Sequence, residues 1–240
     1  MIKFFRHIRK SLIEENKMGK YFKYAVGEIL LVVVGILIAL QINNWNDQRK
    51  DRIFEDEILQ QIRVNLMKDK ITLTEIQFNF KKAIVSSDKI LNTYGSKQFK
   101  DSLRYWLGTI VQFDRFQPLT NAYEVAKSKG LDLIRNKQLR FLIGTYYDDD
   151  SQQAAKSIQD VEYSFNNDWL PILKTEAANM KFKTYVDVKN ANIFEEGSVA
   201  NTILRMNKDN FNGGVNRIDR VLKSITKIED LINQELNGND

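Results

Sequence analysis

The residues with the most chemical potential in this 240-residue chain are its acids, and one of them has an unusual setting. Glu28 opens an apolar run, Ala25-Val26-Gly27-Glu28-Ile29 on through Leu40, where an ionisable group is costly to keep. On a helix, Gly35 and Ala39 fall about 20° to either side of Glu28. A carboxyl sharing a stripe with two small residues suits close helix–helix approach, and Gly35-x-x-x-Ala39 is a small-x-x-x-small pattern. Three roles for Glu28 stay open: reaching the headgroups or pairing with nearby lysines, specifying an oligomer, or lining an ion or proton path. Gln41 falls on the opposite side of the helix and reads as interfacial.

Other candidates have plainer readings. Asp148-Asp149-Asp150 offers carboxylates for a hard cation, but lacks the alternating ligands and glycine of a calcium loop. Carboxylates are favourable at a helix N-terminus, so the run is expected to start a helix. Gly213-Gly214 has no following Lys-Ser/Thr and reads as a turn before the last helix. Tyr146-Tyr147, Trp106 and Trp169 read as core or interface aromatics, not a ligand cage. With no cysteine there is no thiolate nucleophile, disulfide, zinc ribbon or iron–sulfur cluster. The single histidine, His7, excludes a Ser-His-Asp triad and a multi-histidine metal site. Among 31 acids no spacing picks out an acid–base pair. No catalytic, cofactor-binding or metal residue is therefore expected, and the reading is non-enzymatic.

Charge places the chain. The net excess of +5 lies entirely in residues 1–23, among Lys3, Arg6, Arg9, Lys10, Lys17, Lys20 and Lys23, leaving the rest balanced. A nucleic-acid binder would carry its basic stripe on the folded domain, so no nucleic-acid partner is expected. Here the basic block abuts the apolar run, which points to an anionic membrane surface. Tyr24 to Asn43 spans ~30 Å as a helix, the hydrocarbon thickness. Tyr21, Phe22 and Tyr24 mark one interface and Trp45 the other. A cleaved signal peptide and a buried helix are the rival readings. The first lacks a small-x-small cleavage site after Leu40; the second must accommodate the aromatic and basic flanks. The excess of basic residues before the span predicts a cytoplasmic N-terminus and an extracytoplasmic C-terminal part.

The elements around these residues read as an all-α protein. Residues 2–13 pattern as a basic amphipathic helix: Ile2, Phe5, Ile8, Leu12 and Ile13 share one arc and Lys3, Arg6 and Lys10 lie opposite. Arg9 falls inside the apolar arc, where its long stem lets it snorkel. Residues 46–94 read as one long helix or two stacked ones. Leu59, Ile62, Leu66, Leu73, Ile76, Phe80, Ala83, Ile90 and Tyr94 keep a single heptad register, with Asp69 and Ser87 as polar intruders. Lys68-Asp69-Lys70 is a candidate break, and Gly95-Ser96 ends the element. Further helices are expected over Phe99–Val111, from Asn121 to Gly130 with Asn121/Glu124 as a capping box, from Asn136, and from Asp148 towards Trp169. Pro171 is a break or restart. Phe182, Tyr185, Val186 and Val188 suggest a short extended piece, and a last helix covers about 214–236. The expected organisation is a basic segment 1–23, a span 24–43 and one all-α domain 46–240, its long helix 46–94 leading into a bundle 97–240.

Several stretches carry a resemblance. They are Ile2-Lys3-Phe4-Phe5-Arg6, Glu15-Asn16-Lys17, Lys20-Tyr21, Gly27-Glu28-Ile29 and Gly35-Ile36-Leu37-Ile38-Ala39-Leu40-Gln41-Ile42-Asn43-Asn44-Trp45-Asn46. Together they resemble an uncharacterised family of Gram-negative single-span membrane proteins. Pro118–Tyr147, with Ala122-Tyr123-Glu124, Ser128-x-Gly130, Leu133-Ile134, Leu139-Arg140 and Tyr146-Tyr147, is similar to that family's second recurring stretch. The resemblance implies an inner-membrane protein of unknown function and supplies no catalytic residue. The expectation is a membrane-anchored, homo-oligomeric scaffold or sensor presenting a periplasmic helical domain to an envelope partner. A pore lined by Glu28, Gly35 and Ala39, or more remotely a tethered enzyme using carboxylates, is the alternative.

Overall fold

In a computed structural model, which describes residues 18–238, the chain opens with α1 (Met18–Thr93), a helix of 76 residues. The side chains of Met18, Lys20, Tyr21 and Tyr24 lie outside the described set, as do residues 1–17 with the basic amphipathic segment and its Lys3, Arg6, Arg9 and Lys10. The chain falls into two compact units that divide between Phe54 and Glu55.

In the first unit, every side chain from Ile29 to Ile42 is exposed, Leu31 at 66% and even Val34 at 45%. Water does not tolerate so long an uncovered apolar surface. This is one helix long and apolar enough to cross a membrane.

In the second unit, α1 buries the heptad face foreseen from the sequence. Leu59, Ile62, Leu66, Leu73, Ile76, Phe80, Ala83 and Ile90 are all buried. Tyr94 instead stays partly exposed and stacks edge-on against Phe99 at 5.2 Å. The helix does not break at Lys68-Asp69-Lys70, contrary to expectation. Asp69 keeps the core register and finds donors inside the unit, so no kink is needed to free it. Ser87, equally buried, donates its hydroxyl to Ala83 O at 2.9 Å.

Gly95, at φ 78, supplies the left-handed turn that ends α1. Ser96 then caps α2 (Lys97–Ile110), its Oγ accepting from Phe99 N. α3 (Asn121–Lys129) stops at Gly130 as expected, but its capping box does not form. The cap position is Thr120, and Asn121 Oδ1 accepts from Asn65 Nδ2 of α1 at 2.6 Å. A tertiary partner has displaced the local one. Asn136 does cap α4 (Lys137–Thr145), accepting from the amides of Gln138 and Leu139, both at 3.0 Å.

From α4 the helical path continues through a π-turn (Tyr146–Asp150), α5 (Ser151–Ser164), a second π-turn (Phe165–Trp169) and α6 (Leu170–Glu176). Asp148-Asp149-Asp150 therefore lies within this path and starts no helix, a correction to the sequence reading. The widened turn lets Tyr146 and Tyr147 both face inward. Pro171 sits in the first turn of α6, where its missing amide costs nothing, and Leu170 N bonds Phe165 O in the π register ahead of it.

β1 (Ala177–Lys181) and β2 (Tyr185–Val188) form an antiparallel hairpin, with Met180 opposite Val186. β2 is the extended piece anticipated around Tyr185. α2 presses on this hairpin: a Cβ on Gly108 would stand 2.3 Å from Thr184 O. The last helix, α7 (Val199–Asn237), starts well before the expected position near residue 214. Gly213-Gly214 is helical and forms no turn. Gly214 is there for packing, since a Cβ on it would lie 2.6 Å from the Phe80 ring. α7 runs antiparallel to α1, as the pairs Asp88–Lys208, Gln77–Asp219, Lys70–Glu229 and Arg63–Asn233 show.

Candidate functional site

The described residue set contains one cluster of coupled ionisable groups, built around Asp69. α1 supplies Asn65 and Asp69, the segment before α3 supplies Leu119, α3 supplies Tyr123 and Lys127, and the first π-turn supplies Tyr146, Tyr147 and Asp148. Asp69 is 2% exposed. Its Oδ2 accepts from Tyr146 Oη at 2.7 Å, and Leu119 N lies 3.3 Å from both carboxylate oxygens. Tyr123 and Tyr147 stack with centroids 4.6 Å apart, and Tyr146 meets Tyr147 edge-on at 4.8 Å. Towards solvent, Tyr123 Oη donates to Asp148 at 2.7 Å and Lys127 Nζ reaches the same carboxylate at 3.2 Å.

Burial raises the proton affinity of Asp69, and the donors from Tyr146 and Leu119 oppose it. The phenols are pushed far above their usual range. Tyr146 is raised by burial and then by Asp69, Tyr123 by burial and then by Asp148, and Tyr147 by burial and then by Asp69. Asp148 moves the other way, held ionised by the Tyr123 hydroxyl and then by Lys127. Tyr147 Oη, beside Asn65, has no well-formed hydrogen bond among the described residues.

Asp69, Tyr146 and Tyr147 are each 2% exposed or less, so no soluble substrate reaches them. Chemically, the cluster is a hydrogen-bonded bolt joining three segments. Glu55 acts similarly, taking Arg135 N at 2.9 Å and Arg135 Nε at 2.6 Å. At the surface, a groove of about 700 Å³ runs between residues 114–117 and α5, crossed by a bidentate Arg115–Glu162 pair. Among the described residues, no group of three or more His, Cys, Asp or Glu is placed to hold a metal ion.

The residues singled out from the sequence are distributed differently. Glu28, Gly35 and Ala39 share one face of α1 within the apolar segment. Gly35 and Ala39 are exposed, Glu28 half-buried, and a Cβ on Gly35 would meet nothing within 4 Å. Trp45 is exposed on the same helix, and Tyr21 and Tyr24 lie on it with their side chains undescribed. Trp106, Trp169, Tyr146 and Tyr147 are core residues, as anticipated. Sequence reasoning missed the Asp69–Tyr146 pair. Its one signal was an acid at a core position of a heptad.

Fold and site together define an all-α protein with one candidate membrane helix and an Asp69–Tyr146 pair buried in the core. The chain belongs to a family of unknown function (DUF6090), whose model matches residues 28–149, just over half of it. The match takes in the apolar segment from Glu28 and the 118–147 stretch, and every residue of the Asp69 cluster. No curated protein and no solved structure matches the chain.

Proposed function

We propose that this protein is a membrane-anchored, non-enzymatic scaffold or sensor that presents its helical domain to a partner in the bacterial envelope. The observation that carries this reading is the uncovered apolar segment Ile29–Ile42 on α1. The buried part of the cluster, Asp69, Tyr146 and Tyr147, supports the non-enzymatic part, because these groups hold segments together beneath the surface. The basic residues before the span support an inner membrane location with the N-terminus cytoplasmic and the domain periplasmic. Self-association completes the proposal, with Gly35 and Ala39 permitting close approach and Glu28 fixing the partner.

Alkaline phosphatase fusions at Lys50 and Asp240 test the topology. Activity at both supports it, and silence at both, with active cytoplasmic reporters there, reverses it. The mass of particles purified in detergent tests self-association, and a monomer mass removes it. A second reading, a pore, draws on Glu28 sharing a face with Gly35 and Ala39. Liposome conductance that is present in wild type and altered by Glu28→Ala supports the pore; absent or indifferent conductance removes it.

A further inference from the structure

We propose that the outward face of α1 between Val64 and Val85 is the surface on which a second copy of this chain docks. Val64, Ile71, Phe78 and Val85 recur at a strict seven-residue period, and Met67 and Thr74 fall three residues after the first two. All six point away from the domain core. The five apolar ones are exposed at 43% for Val64, 50% for Met67, 55% for Ile71, 61% for Phe78 and 52% for Val85. They stand opposite the buried stripe of Leu59, Leu66, Leu73 and Phe80, so one helix carries two heptad faces and the domain covers only one.

A helix with apolar residues at this period packs against another helix with the same period. The occupant is a second copy because the seam is self-complementary: side by side and parallel, each seam residue meets its own counterpart. Anchorage gives that arrangement, since two copies held through the segment ending at Asn43 share one bilayer and one chain direction. The proposal rests on the anchored reading to this extent.

The five side chains amount to on the order of 400 Å² of apolar surface per copy, the size of a typical monomer's largest, often functional, patch. A freestanding dimer needs about 800 Å² per partner. The stripe thus forms the apolar centre of such an interface, the polar residues beside it form the rim, and the shared membrane supplies a high effective concentration. The contact is strongest from Val64 to Phe78, because Lys81 interrupts the run before Val85.

The chain has no cysteine, so any introduced thiol is the sole one. Full-length Ile71→Cys and Phe78→Cys are oxidised in membranes beside two exposed controls off the seam, Phe141→Cys and Tyr163→Cys. The seam variants are expected to give about tenfold more disulfide-linked dimer than the controls. Equal yields overturn the proposal. The double variant Ile71→Glu/Phe78→Glu is expected to run as a smaller particle with an unchanged melting midpoint, since both positions are exposed. If it stays as large as wild type, the seam is not the interface. Washing the same membranes at alkaline pH separates the two readings. Retained protein with unlinked seam thiols overturns the seam alone. Released protein overturns the anchor, and the seam is then decided by the same cross-linking yields in solution.

Discussion

Replacing Tyr146 by Phe isolates the bolt at the centre of the domain. The substitution keeps the ring, its edge-on contact with Tyr147 and its buried volume, and removes only the hydroxyl that donates to Asp69 at 2.7 Å. What remains for the carboxylate is Leu119 N at 3.3 Å, in a site 2% exposed. A hydrogen bond to a charged acceptor contributes about 1.5–3 kcal/mol, and a buried group left short of a partner costs a similar amount. The expected loss is about 2 kcal/mol at neutral pH.

The pH dependence carries a sign. Burial raises the folded-state proton affinity of Asp69 above its unfolded value, so its contribution favours folding below the unfolded value and is lost as pH rises through the folded one. Removing the Tyr146 donor raises that affinity further, because the donor favoured the ionised form. The loss in Tyr146→Phe is therefore largest at neutral pH and shrinks as acid neutralises Asp69. Urea unfolding of the full-length protein in detergent, followed by fluorescence of the buried Trp106 and Trp169, measures it. A loss under about 0.5 kcal/mol, or one that grows on acidification, would refute the reasoning.

Three further substitutions probe the packing. Gly213→Ala meets nothing within 4 Å and is expected to stabilise by about 0.5–1 kcal/mol, whereas Gly214→Ala drives a methyl into the Phe80 ring and is expected to cost about 1–3 kcal/mol; paired urea titrations compare them. Gly108→Ala would put its Cβ 2.3 Å from the Thr184 carbonyl, a backbone group, and should lower the melting midpoint and raise protease cleavage within the hairpin. Asn136→Ala removes the acceptor for two amides and the Nδ2 donor to Glu235 Oε1 at 2.7 Å, and is expected to cost about 1 kcal/mol; Asn136→Asp keeps the cap but sets a second carboxylate against Glu235, and is expected to restore only part of it.

The buried face of α1 was legible in the sequence because a long helix repeats its core contact every three or four residues, and nine heptad positions outvoted Asp69 and Ser87. The stops at Gly95-Ser96 and Gly130, and the cap at Asn136, were legible because their chemistry is local. What failed was local chemistry overridden at a distance. Asn121 had a good box partner in Glu124, but Asn65, 56 residues away, offered its amide. Gly213-Gly214 looks like a turn until Phe80 is known to lie against it. β1 escaped notice because its residues are mostly exposed and do not alternate. The same holds for the site. Asp69 stood out as an intruder, yet its partner Tyr146 lies 77 residues on, and no spacing rule connects them.

The central claim is that the helix around Val33 lies in lipid, and alkaline carbonate fractionation of the full-length protein tests it most directly. The account predicts that the protein stays with the sedimented membranes and is released only by detergent. Recovery in the supernatant at alkaline pH, without detergent, would contradict it.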